Sequence, residues 1–277
     1  VSRRRIGQAA LVVFSTFFAL CLLSPYIPFH SPVAMTAASL QPPDGRHWLG
    51  TNELGQDLLS RVMAAGRNSI TVGLLAAAVA TISGTLLGMI SGYFGGWVDQ
   101  VLSRVTDVVI TVPLFPLLVI FSAYYSPSLH VMGLIMGCFG WCSCARIVRA
   151  QALSLSEWHF VHGIRAMGAG HVYILWRYIL PFVLPLAAVK YILGMQGYLL
   201  LGVGLGFLGL GDARTLDWGT ILNQAFTSGG LSLGCWWWFL APVGAIIITS
   251  LSIALIGYSL EQRTDLPRSD RRPWSEA

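Results

Sequence analysis

Charged side chains are scarce in this sequence. Asp, Glu, Lys and Arg together make up 10% of its 277 residues, where an ordinary soluble domain carries about 25%. Lysine is all but missing: Lys190 is the only one. That excludes a nucleotide-binding P-loop of the form G-x-x-x-x-G-K-[ST], because Lys190 follows Ala187-Ala188-Val189. Energy drawn from a nucleotide would have to arrive from another polypeptide. No H-E-x-x-H pair, Ser-His-Asp set or paired carboxylates stands out, so the chain is not expected to be an enzyme. The five cysteines are an odd number with no paired spacing, which argues against a disulfide scaffold. Cys138, Cys142 and Cys144 lie in an apolar run and read as small packing residues.

What the sequence has is apolar length. Hydrophobic residues make up 55% of the chain and the mean hydropathy is positive, as in an all-α integral membrane protein with one membrane domain in the lipid bilayer. Ser2-Arg3-Arg4-Arg5 precedes a first apolar run, 6–29, long enough to span and without a small-x-small cleavage site, so a retained helix is expected. Residues 30–68 are polar and rich in Pro and Gly and read as a loop, with Glu53, Asp57, Arg61 and Arg67 able to pair on its surface. Five further spans are expected at about 70–92, 105–124, 129–145, 181–210 and 235–260. Gly84, Gly88 and Gly92 form a small-xxx-small face on the second. Pro113 and Pro116 should kink the third, and Trp236-Trp237-Trp238 suits the membrane interface at the start of the sixth. The tail, 261–277, mixes both charges and is expected to be poorly ordered.

Orientation follows from the arginines. Six spans place Arg3, Arg4, Arg5, Arg104, Arg146, Arg149, Arg165, Arg177, Arg263, Arg268, Arg271 and Arg272 on one side and only Arg46, Arg61, Arg67 and Arg214 on the other. The arginine-rich side is expected to be cytoplasmic, with both termini on it and the 30–68 loop outside. The net charge of +5 is spread over the ends of apolar segments, a topology pattern rather than a nucleic-acid surface.

The stretch 157–181 interrupts this apolar chain with Glu157, His159, His162, Arg165, His171 and Arg177. Such a density of polar groups belongs outside lipid. Trp158, Val161 and Ile164 share one helical stripe, and His159, His162 and Arg165 share the next. Gly168 and Gly170 should then stop the helix. A short amphipathic helix in this place either lies flat at the lipid headgroups or presents a face to a soluble partner. His159, His162 and His171 lack the accompanying carboxylate of a metal site and read as non-ligating. Lys190, inside the fifth span, either lines a path or snorkels toward the cytoplasmic surface. Gly204-Leu205-Gly206-Phe207-Leu208-Gly209 matches G-x-G-x-x-G only formally, having neither the preceding strand nor the following helix of a dinucleotide site.

Several of these motifs carry a resemblance. Gly168 followed by Tyr178-Ile179-Leu180-Pro181 is similar to the EAA loop of ABC importer permeases, with His162-Gly163-Ile164 standing where that loop has Glu-Ala-Ala. The run from His47-Trp48-Leu49-Gly50-Thr51-Asn52 to Arg61 resembles the H-x-L-G-T-D-x-L-G-R-D-x-x-S-R stretch of the C-type permease subunit in the dipeptide, oligopeptide and nickel branch. Asn52 and Gln56 depart from it. Gly92-Tyr93-Phe94-Gly95-Gly96-Trp97-Val98-Asp99 and Leu205 to Gly211, followed by Trp218-Gly219, are similar to further stretches of the same branch. The resemblance covers about residues 40–265.

It implies a type I ABC importer permease fold in a bacterial or archaeal inner membrane. The segments would be 1–29 as tail and first span, 30–68 as extracytoplasmic loop, 69–260 as permease core with a coupling loop at 146–178, and 261–277 as cytoplasmic tail. The implied partners are a homologous B-type permease, two ATPase subunits that hold ATP and Mg, and an extracytoplasmic binding protein. No cofactor is implied for this chain. Trp158, His159, Val161, His162, Ile164, Arg165 and Gly168 would form the coupling surface for the ATPases. The substrate would be a di- or oligopeptide, or alternatively nickel or a metal chelate. An ion-coupled carrier working alone is the rival of another class, and it lacks the buried acidic residues such carriers use, Asp107 being the one acid near a span.

Overall fold

A computed structural model describes residues 3–26, 31–35, 37–212 and 214–264. Among the described residues ten α-helices follow one another: α1 (Arg3–Leu23), α2 (Leu58–Phe94), α3 (Gly96–Thr111), α4 (Leu114–Tyr125), α5 (Leu129–Ser156), α6 (His159–Ala166), α7 (His171–Ile174), α8 (Leu180–Phe207), α9 (Trp218–Thr227) and α10 (Trp236–Thr264). A π-helical turn, Leu175–Ile179, joins α7 to α8. It lies just before Pro181, whose missing N–H breaks the ordinary ladder. Among the described residues there is no sheet, only an isolated bridge between Thr51 and Asp57.

Among the described residues five segments are long and apolar enough to cross a membrane: α1, α2, α5, α7 to α8, and α10. The helices α3 and α4 make a sixth when taken together. They are bent by 68° at Val112-Pro113, where the ring of Pro113 cannot continue α3. The expected kink in the third span is therefore a full break. The end of the first apolar run at 27–29 and the tail from 265 onward lie outside the described residues.

The bundle is organised around α2 against α5. A Cβ on Gly84 would meet the Trp141 carbonyl oxygen at 2.6 Å, and one on Gly88 the Ala145 carbonyl oxygen at 2.6 Å. One on Gly92 would meet the carbonyl of Arg149. The small-xxx-small face thus brings two backbones together, the arrangement that stabilises helix pairs where water gives no hydrophobic drive. Helix α1 lies along α10, with Gly7 against Ser259, so the two ends of the described chain share one end of the bundle.

Helix α2 begins twelve residues before the expected span start at Ile70. Asp57 caps it, its Oδ2 accepting from the Ser60 N–H at 2.8 Å and the Ser60 hydroxyl at 2.7 Å. Its Oδ1 lies 2.9 Å from His47 Nδ1. Arg61 is buried, donating to the Pro32 carbonyl at 3.2 Å, to Gln224 Oε1 at 2.8 Å and to Gln56 Oε1. The surface pairing expected of Asp57 and Arg61 is corrected accordingly: both are interior groups that bind the loop to α2 and α9, and a buried charge persists only where hydrogen bonds replace its water. Glu53 and Arg67 do stay exposed.

Candidate functional site

At the arginine-rich end of the bundle, Trp158 takes an extended conformation and α6 starts at the next residue. The helix is two turns long. Gly168 closes it at φ +88°, its N–H reaching the Arg165 carbonyl at 3.0 Å. A Cβ there would meet nothing within 4 Å, so the left-handed backbone alone requires glycine.

The apolar stripe of α6 turns inward. Val161 is buried, and Trp158 and Ile164 pack with it on Met89 and Tyr93 of α2, Val148, Ala152 and Leu155 of α5, and Ile174, Leu175, Ile179 and Val183. Val161 is thus taken up by the chain's own core, and Trp158 and Ile164, half-buried, lean on the same core. Outward stand His159, Phe160 and His162, while Arg165, also exposed, lays its guanidinium over the Tyr93 ring. Met167, Val172 and Tyr173 extend this face, with Met167 80% exposed. Large apolar groups collected at a protein's end mark a contact surface. Sequence reasoning missed Phe160, Met167, Val172 and Tyr173. Their signal was present, since they are apolar residues off the inward stripe in an otherwise polar loop.

The three histidines part company. His171 Nδ1 lies 2.9 Å from the Tyr93 hydroxyl, whereas His159 and His162 face outward. Among the described residues no three His, Cys, Asp or Glu side chains gather as a metal site. Lys190 is half-buried on α8, about 15 Å along the helix from Leu180 at ~1.5 Å per residue. It has no hydrogen-bonding or ion-pair partner among the described residues. Beside it on α8, Ala187, Ala188 and Tyr191 line a groove of about 330 Å3 between α2 and α8, to which Thr81, Ile82 and Trp176 also contribute.

At the opposite end, the Leu205–Gly211 signature folds as a knot between α8 and α9. Gly209 turns the chain at φ +75°, and Gly206 lies against the Asp217 carboxylate. Asp217 caps α9, its Oδ1 accepting from the Thr220 N–H at 3.0 Å. The Thr220 hydroxyl accepts in return from the Asp217 N–H at 3.0 Å. Trp218 is fully buried, its Nε1 donating to the Val62 carbonyl at 2.9 Å. These glycines serve backbone packing, not a dinucleotide.

Asp217 Oδ2 is buried without a hydrogen-bond partner among the described residues, and burial, with Asp212 nearby, pushes the carboxyl up to about 6. Because the folded form holds its proton more tightly than the unfolded chain, this group's stabilisation is complete below the ordinary carboxylate range near 4 and is lost as pH rises through about 6. Asp217→Asn keeps a capping oxygen and has no charge to bury. Its thermal unfolding in detergent should lose the fall in stability between pH 4 and 7, on the order of 3 kcal/mol. An unchanged pH profile would show that Asp217 is not its source.

The description "Binding-protein-dependent transport system inner membrane component" belongs to the family model that matches residues 84–266. The oligopeptide transport system permease protein OppC of Mycobacterium tuberculosis is 33% identical, over 98% of this chain and 94% of its own length. The probable D,D-dipeptide transport system permease protein DdpC of Escherichia coli K12 is 31% identical over 92% and 85%. The dipeptide transport system permease protein DppC of Alkalihalophilus pseudofirmus is 30% identical over 96% and 87%.

Proposed function

Since the chain belongs to the family of inner membrane components of binding-protein-dependent transport systems, we propose that it is the C-type permease subunit of an ATP-driven importer and forms half of a translocation path for di- or oligopeptides. The observation that carries this reading is α6. Its apolar stripe is spent on the chain's own core, and a second, partly aromatic face is left outward at the arginine-rich end. A headgroup-bound helix would instead put its apolar stripe into lipid.

In this reading the outward face of α6 and α7 docks one of two ATPase subunits, which hold ATP and Mg and carry out hydrolysis. A homologous permease completes the path, and an extracytoplasmic binding protein delivers the peptide. The peptide substrate rests on the names of the relatives. Lys190 faces the path, where its unpaired ammonium attracts the carboxylate end of a peptide. Replacing it with methionine is expected to lower uptake at low peptide concentration while the amount of protein in the membrane stays the same. Equal uptake at every concentration would place the ammonium at the membrane surface instead.

Both termini are cytoplasmic in the proposal. Support comes from the arginines, since those of α3, α5 and the 157–181 segment cluster at the end where α1 begins and α10 finishes. With Cys138 replaced by serine, a cysteine at the exposed Glu53 should react with an impermeant thiol reagent outside intact cells. One at Glu157 should not react until the membrane is opened. The reverse order of labelling would sink the orientation. Asn52 does not serve for this test, being buried and bonded to Gln56 at 2.8 Å.

A further inference from the structure

Helix α6 is seated on apolar side chains, whose attraction has no preferred direction. Directional ties between α6 or α7 and the rest of the chain are few. Among the described residues, two neighbouring side chains outside residues 155–182 supply them, both at the end of α2: Phe94 offers a tilted ring contact to His171, 5.5 Å between centroids, and Tyr93 supplies the rest. Its ring lies under the Arg165 guanidinium, 5.2 Å from ring centroid to Cζ, and its hydroxyl is 2.9 Å from His171 Nδ1. Tyr93 is itself buried, where a cation–π contact and a hydrogen bond are worth more than in water.

What lies behind Tyr93 is rigid. Gly92 packs on the Arg149 backbone of α5. Ser91 donates to Asp99 Oδ1 at 2.6 Å, and Arg149 donates to Asp99 Oδ2 at 2.6 Å, so the end of α2, the start of α3 and α5 are joined by one carboxylate. Gly95 and Gly96, at φ +62° and +51°, make the turn that brings Asp99 back to Ser91. Force applied to the Tyr93 ring therefore reaches the closely packed α2–α5 pair with little play.

We infer that Tyr93 is the positioning residue through which movement of α6 is passed to the α2–α5 pair: Arg165 and His171 grip its ring and hydroxyl, and α2 moves with them. The inference rests on the reading of α6 as the ATPase-coupling helix. A residue with this role sets how much import each hydrolysis event produces, not whether the ATPases bind.

The test uses the whole complex in vesicles and two readouts, the ATPase chains retained on purification and the ATP hydrolysed per peptide imported. Tyr93→Leu, which removes both grips, should retain its ATPase chains and raise the ATP used per peptide at least tenfold. Tyr93→Phe keeps the ring under Arg165 and loses the bond to His171, and should raise that ratio severalfold. An unchanged ratio in Tyr93→Phe overturns the inference, even if Tyr93→Leu fails to fold. Loss of ATPase chains from Tyr93→Phe overturns it too, since the residue would then only shape the dock. Phe160→Asp in the same assay separates the two readings: full retention of ATPase chains there would remove the coupling role of α6 itself.

Discussion

Phe160→Asp should strip the ATPase chains from the purified complex while leaving the amount of this subunit in the membrane unchanged. The ring of Phe160 stands on the outward face of α6, between Trp158 at 5.8 Å and Tyr178 at 6.1 Å between ring centroids. Burying a large apolar side chain at an interface is worth roughly 1.5–3 kcal/mol, so losing it weakens association about ten- to a hundredfold. The buried carboxylate adds to that loss. Val161→Asp is the informative neighbour. It is one residue away but faces Met89, Val148 and Ile174, so it should lower the amount of folded subunit, because its charge enters the chain's own core. Retention of ATPases by Phe160→Asp, together with normal abundance of Val161→Asp, would mean that the two faces are assigned the wrong way round.

Gly88→Leu should be among the most damaging substitutions in the bundle, reducing the monodisperse protein recovered in detergent tenfold or more. A Cβ at Gly88 falls 2.6 Å from a backbone oxygen and 2.9 Å from Val148 Cβ, and neither can retreat without opening α2 from α5. Small residues at such a crossing gain their stability from close backbone approach, which a leucine abolishes. Gly197→Leu on α8 is the matched control, since a Cβ there meets nothing within 4 Å. It should be recovered in normal amount. Equal recovery of the two variants would contradict the packing described for α2 and α5.

The membrane architecture was legible because it is written in local patterns. Apolar runs marked the spans, the glycine spacing marked the α2 face, and Pro113 marked the break after α3. The start of α2 was not, since the cap at Asp57 and the burial of Arg61 depend on His47, Pro32 and Gln224, which no window around residue 60 contains. The stripe of Trp158, Val161 and Ile164 was equally visible, but periodicity tells only that one face is covered. Whether a partner or the chain itself covers it depends on where α2 and α5 end. Tyr93 lay within a recognisable stretch, yet its contacts with Arg165 and His171 join residues more than 70 positions apart. Lys190 stood out by being the only lysine, and its surroundings on α8 were not foreseeable.

In the proposed function this chain moves peptide only as part of an ATP-driven assembly. The direct measurement is uptake of a labelled peptide into vesicles containing the chain, with its partners and the driving force supplied one at a time. The chain alone should give no uptake under any ion gradient, and uptake should appear when the second permease, the ATPases, the binding protein and ATP are all present. Uptake by the chain alone, driven by a proton or sodium gradient and indifferent to ATP, would contradict it.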